Sequence, residues 1–199
     1  MTASAGKRLQ LIEAAKVLLH RQGLQRTTLA EVAGRAGIPP GNVYYYFRTK
    51  EALAAAVIAS HLEALGRLFA GWEAAHPDPR DRLRALVRMP LGEARQILDF
   101  GCPHGSLCQE LEKLGARSAL ARAGAQLLGI YLRWAERQFR ALGQGQEAAP
   151  LARDLVASLQ GTLLLAHALR SRTLLKERLL RLEQSVAALP SPIRKRSRS

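Results

Sequence analysis

Apolar residues return at intervals of three and four along almost the whole of this chain, and nowhere do they settle into the sustained period-two alternation that a half-buried strand needs. That regularity excludes sheet folds and predicts an all-α protein. At 199 residues the chain can form one or two domains, each with a real buried core.

Local punctuation divides the helical pattern. A first helix is expected over about 7–21, with Leu9, Ile12, Ala15, Val17 and Leu19 as its apolar positions and Gly23 as its stop. Thr28 followed by Glu31 has the spacing of a capping box and opens a second helix, LAEVAGRA. Gly37 permits a left-handed turn, and Pro39 and Pro40 lead into a short third helix over about 40–46. Short helix, glycine turn and short helix form the helix-turn-helix pattern. A fourth helix is expected to reach about Ala75, and a fifth to span 78–99 with a bend at Pro90. FGCPHGS reads as an interruption before a short helix LCQELEKLG, followed by a long helix over 118–142. The last two helices, about 151–171 and 173–189, carry continuous apolar stripes: Leu155, Leu159, Thr162, Ala166 and Leu169, then Leu175, Leu179, Leu182, Val186 and Leu189.

Charge narrows the class of partner. Lysine and arginine outnumber acidic residues 30 to 16, giving a net charge of +14. Such an excess favours a polyanion, either nucleic acid or an anionic membrane surface. Residues 1–52 and 53–189 each carry +5, while the last ten carry +4, so PSPIRKRSRS is the densest basic segment and reads as a disordered tail. No stretch reads as the roughly 18 to 20 apolar residues that cross a bilayer. The opening MTASAGKRLQLIEAAK lacks an apolar segment with a small-residue cleavage site. A cytoplasmic protein without a membrane partner is expected. Cys102 and Cys108 lie six apart, which is not the spacing of a C-x-x-C pair, so neither a metal site nor a cofactor is expected.

Three consecutive tyrosines, Tyr44, Tyr45 and Tyr46, stand in a chain with 5% aromatic residues. On a helix they fan out about 100° apart, so they cannot all face one core. At least one is expected to meet something outside the protein.

The run LIEAAKVLLHRQGLQRTTLAEVAGRAGIPPGNVYYYFRTKEAL, residues 11–53, closely resembles the amino-terminal DNA-binding domain of the TetR family of bacterial transcriptional regulators. The resemblance implies a three-helix DNA-binding domain over 1–52, a larger helical ligand-binding and dimerisation domain over 53–189, and the basic tail over 190–199. It places the third helix in the major groove. Gly41 then lets the backbone approach DNA, and Asn42 reaches a base edge or a phosphate. Tyr44 and Tyr45 match the family's phosphate-binding tyrosines, Lys50 its lysine at the start of the fourth helix, and Thr27 and Thr28 its backbone contacts at the second helix. Tyr46 stands where the family often has histidine and Pro40 where it often has lysine, so one charged contact is missing. Val43 and Phe47, four apart, read as core. In the family the last two helices of each subunit build a dimer interface, which two DNA-reading heads require. A small-molecule effector is implied as the signal.

Trp72, Phe100, Cys102, His104, Tyr131, Trp134 and Phe139 are the candidate effector or sensor residues, chosen for aromatic or polarisable character; core packing is the alternative for each. GCPHGS also resembles a segment of one TetR subgroup, some of whose members sense electrophiles or oxidants. The other reading of Cys102 is a small buried hydrophobe beside a tight turn. An enzyme using Cys102 and His104 is disfavoured, because an i to i+2 pair is poor geometry and no third orienting group is evident. The alternative function is a nonspecific architectural DNA-binding protein.

Overall fold

The computed structural model describes residues 3–115 and 117–189, and every regular element among them is helical. The basic tail lies outside the described residues. The elements are α1 (Ala3–Arg26), α2 (Leu29–Arg35), α3 (Pro40–Tyr46), α4 (Lys50–Ala75), α5 (Pro79–Gly92), α6 (Ala94–Phe100), α7 (Pro103–Glu112), α8 (Ala119–Ala141), α9 (Ala148–Ala168) and α10 (Arg172–Ala187), with a 3₁₀ turn at Gly145–Glu147.

Several boundaries differ from the sequence expectation, each for a local reason. The regular part of α1 gives way at Gly23 (φ 79°, ψ 169°), and one further turn then continues to Arg26. The expected fifth helix is two helices. Pro90 lies buried within α5, and the break comes at Glu93, whose amide closes a tight turn onto the Pro90 carbonyl at 3.2 Å. PHGS is no interruption, because Cys102 is the N-cap of α7 and Pro103 its first residue, where a missing N–H costs nothing. By length and composition alone α4 could cross a membrane, with mean hydropathy 1.4 in its apolar window, contrary to the sequence reading. Alanine and leucine supply that hydropathy, and Leu53, Val57, Ile58, Leu65 and Phe69 are buried inside the protein.

The chain forms two compact units: Met1–Arg67 with Phe100–Ile130, and Leu68–Asp99 with residues 131–189. In the first, Leu11, Ile12, Ala15 and Leu19 of α1 meet Val32, Val43, Phe47, Leu53, Val57, Leu107 and Leu111 in one core. Leu9 and Val17, expected among the apolar positions of the first helix, stay at the surface. In the second, α10 packs on both α5 and α9. Arg84 and Arg88 of α5 both bind Glu183 of α10, at 2.8 and 2.5 Å. Those guanidinium groups, Arg88 foremost, hold the Glu183 carboxyl below its ordinary value.

Candidate nucleic-acid interface

The geometry of the helix-turn-helix follows from its two end motifs. Thr28 caps α2: its hydroxyl accepts from the Glu31 amide at 3.2 Å, and the Glu31 carboxylate accepts from the Thr28 amide at 2.8 Å. The bond to that amide is the main reason the Glu31 carboxyl lies below its ordinary value. At the other end Gly37 takes φ 66°, the Gly37 amide donates to the Gly34 carbonyl, and the Ile38 amide donates to that of Ala33 at 2.9 Å. This is the Schellman arrangement, and it fixes the angle at which the chain leaves α2. Val43, fully buried, then anchors α3, and Phe47 follows it into the core under the Arg8 guanidinium, 5.2 Å from the ring centre.

With Val43 pointing inward, Gly41, Asn42, Tyr44 and Tyr45 are turned outward. Gly41 and Asn42 are exposed, Tyr44 is 56% exposed and Tyr45 81%. A Cβ built on Gly41 would meet no atom within 4 Å, so nothing inside the protein requires glycine there. Tyr46 differs from its neighbours: it is partly buried, packs against the core and presents its ring edge-on to Tyr45, 5.0 Å between centres. The two threonines also divide. Thr28 is exposed, whereas Thr27 is 1% exposed and donates its hydroxyl to the Gly23 carbonyl at 2.7 Å. Thr27 therefore shapes the connector and offers no free hydroxyl at the surface. Lys50 reaches that connector too, its Nζ donating to the Gln25 carbonyl at 3.0 Å and keeping further N–H donors for another acceptor. Arg48, exposed between α3 and α4, adds a cation that the reading of the aromatic run passed over; its adjacency to that run was the available signal.

The candidate sensor residues separate into three places. Trp72, Tyr131 and Trp134 join Phe69 in an aromatic cluster, with Phe69 and Trp134 stacked at 4.5 Å and the Trp134 indole N–H donating to Glu73 at 2.8 Å. Tyr131 and Trp134 are buried, as core residues. Phe139 lines a pocket of about 230 Å³ with Leu151, Asp154, Leu155, Leu182 and Val186. That volume falls below the roughly 300 Å³ at which sites for drug-sized ligands begin. Phe100, Cys102 and His104 lie at the start of α7. Phe100 meets His20 edge-on and sits under Arg21, and His20 donates to the Gly101 carbonyl at 2.8 Å. The half-buried Cys102 sulfur accepts from the Gly105 amide at 3.4 Å. Cys108 is buried, donates to the Gly124 carbonyl, and has its thiol pushed up to about 11 by burial, which leaves it protonated and unreactive.

His104 faces His61 of α4, with ring nitrogens 3.2 Å apart. Burial is the main cause that lowers His61 to about 4 and His104 to about 3; Lys16, His20 and the pair's own repulsion add to it, and Glu13 opposes it at His61. Both folded values lie below the ordinary 6.5, so the unfolded chain takes up these protons first. The pair's contribution to stability is expected to be complete above pH 6.5 and to fall as pH drops from there toward 3. Melting temperatures at pH 7.5 and 5 should differ less in a His61→Gln, His104→Gln protein than in the parent; an equal drop in both would show that this pair does not govern the acid limb.

A family model described as "Bacterial regulatory proteins, tetR family" matches residues 11–57. The HTH-type transcriptional regulator BetI of Burkholderia lata is 31% identical over 165 residues, covering 65% of this chain and 82% of that protein. BetI of Paraburkholderia xenovorans is 42% identical over 82 residues, which span 41% of this chain and only 42% of that relative's length. Among solved structures, a TetR transcriptional regulator from Legionella pneumophila has a TM-score of 0.79 at 17% identity, over 88% of this chain and 95% of that one. At that identity the likeness is one of fold.

Proposed function

The chain belongs to the TetR family of bacterial regulatory proteins, and from that premise we propose that it binds a palindromic operator as a homodimer and represses transcription until a small-molecule effector lowers its affinity. The observation that carries the DNA reading is α3 itself, a short helix anchored by the buried Val43 and steadied by the half-buried Tyr46, which presents Gly41, Asn42, Tyr44 and Tyr45 outward beside basic groups. Gly41 admits the DNA backbone, Asn42 reaches a base edge or phosphate, and the hydroxyls of Tyr44 and Tyr45 donate to phosphates. Tyr46 supports Tyr45. Thr28 and Lys50 hold the flanking backbone contacts, with Thr27 beneath them. A DNA partner places the protein in the bacterial cytoplasm.

Support for the dimer comes from α9 and α10. Their inward stripe closes the protomer's own core, yet Leu164, Leu165, Leu169 and Leu180 remain 49 to 64% exposed. A Cβ on Gly161 would meet nothing within 4 Å, so the protomer does not need glycine there, whereas close approach of a partner helix does. An effector acts only as far as it binds the DNA-incompetent state better than the competent one. The pocket beside Phe139, about 230 Å³, admits only a compact effector, and modification of the half-buried Cys102 is the alternative trigger.

A nuclease footprint on the promoter of the protein's own gene tests the reading. A protected palindrome is expected; uniform coverage would instead establish the architectural protein. Point variants sharpen it. Tyr44→Phe is expected to weaken operator binding by about 1 kcal/mol, and Lys50→Ala to flatten the salt dependence by roughly one counterion. Gly41→Ala should raise thermal stability, by about 0.5–1 kcal/mol, because alanine is the better helix former, while operator affinity drops. Fluorescence anisotropy and melting curves read both signs, and a Gly41→Ala protein that binds as tightly as the parent would remove α3 from the groove.

A further inference from the structure

The connector between α1 and α2 is held by a carboxylate from far along the chain. At Gly23 the backbone turns so that the next two amides point the same way. The Leu24 N–H donates to Glu110 Oε2 at 2.7 Å and the Gln25 N–H to Oε1 at 2.8 Å. Two converging amides form a small anion site, and one carboxylate of α7 fills it. The fit leaves no slack, since a Cβ on Gly23 would stand 2.9 Å from Oε2. The same three residues carry the neighbouring contacts. The Gly23 carbonyl accepts the Thr27 hydroxyl, and the Gln25 carbonyl accepts Lys50 Nζ. Thr28, the cap of α2, follows directly. Nor is α7 a loose support: Cys108 donates to the Gly124 carbonyl, and a Cβ on Gly124 would fall 2.7 Å from Leu111 Cδ1.

We propose that Glu110 is a positioning residue for DNA binding, fixing the Gly23–Gln25 backbone and through it the Lys50 ammonium and the capped start of α2, without touching DNA itself. This rests on the operator-binding reading above. Its physical basis is that charge-assisted bonds to two amides are stronger than neutral ones, and that without an acceptor those amides have reason to turn elsewhere.

Glu110→Gln tests it in the full chain, because the isosteric amide brings an NH₂ against one of the two N–H groups. Operator affinity is expected to drop roughly tenfold. Amide hydrogen exchange should accelerate at Leu24 and Gln25 in the free protein, with the remaining core amides still protected. In a double-mutant cycle the effects of Glu110→Gln and Lys50→Ala should be less than additive, since one acts through the other. Gly23→Ala, which both crowds the carboxylate and strains a backbone at φ 79°, should accelerate the same amides whether or not Glu110 is present, so the carboxylate's own part is read from Glu110→Gln. Unchanged affinity, strictly additive losses, or acceleration of exchange throughout the unit would each overturn the proposal. A parent protein without salt-dependent operator binding would overturn the functional reading itself, and this inference with it.

Discussion

A Leu165→Glu, Leu180→Glu protein is expected to be a folded monomer that no longer binds its operator. Both leucines are about half exposed in the protomer, at 49 and 55%, so glutamate there meets water and leaves the fold intact. In a dimer the same positions would be covered. Burial of a leucine contributes about 1.5–3 kcal/mol, and each substitution acts twice across a two-fold interface while adding like charges. Losing the second head removes the avidity of a bivalent site, about a hundredfold or more. Light scattering, circular dichroism and operator anisotropy read the three outcomes, and a dimeric double variant would place the interface elsewhere. The companion variant Leu179→Glu separates interface from core. Leu179 is 2% exposed on a helix that packs on both α5 and α9, so a charge there should unfold the protein outright.

Replacing Trp134 with alanine is expected to destabilise the protein by about 3–5 kcal/mol, the range for removing a large aromatic from a packed core. The indole is fully buried, stacked on Phe69 with 17° between the rings, and hydrogen-bonded to Glu73. Trp134→Phe keeps a stacked ring but loses the N–H and the volume of the second ring, so it should cost less than alanine, about 2–3 kcal/mol. Glu73 is not orphaned in either variant, because Gln138 also donates to it at 3.1 Å. Urea denaturation measures both. A loss below about 1 kcal/mol for Trp134→Ala would mean that the ring borders open space and would restore it as an effector contact.

What could be read from the chain lies close together along it. The capping box joins Thr28 to Glu31, the Schellman turn joins Ala33 to Ile38, and the inward face of α3 depends on Val43 and Phe47 four residues apart. Hydrogen-bond geometry settles each of these within a few residues, so all-helical character, the helix-turn-helix and the outward tyrosines were legible. Periodicity also showed apolar stripes on α9 and α10. It could not say which leucines face the protomer's own core and which are left over for a partner, because both kinds repeat at the same interval. Tertiary packing decided that Leu179 of the expected stripes is core while Leu169 is surface, that Thr27 is inside and Thr28 outside, and that Trp72 and Trp134 share one cluster. Glu110 shows the limit most plainly. Its partners Leu24 and Gln25 stand 86 and 85 residues away, and no local spacing encodes a bond that exists only once α7 has packed beside α1.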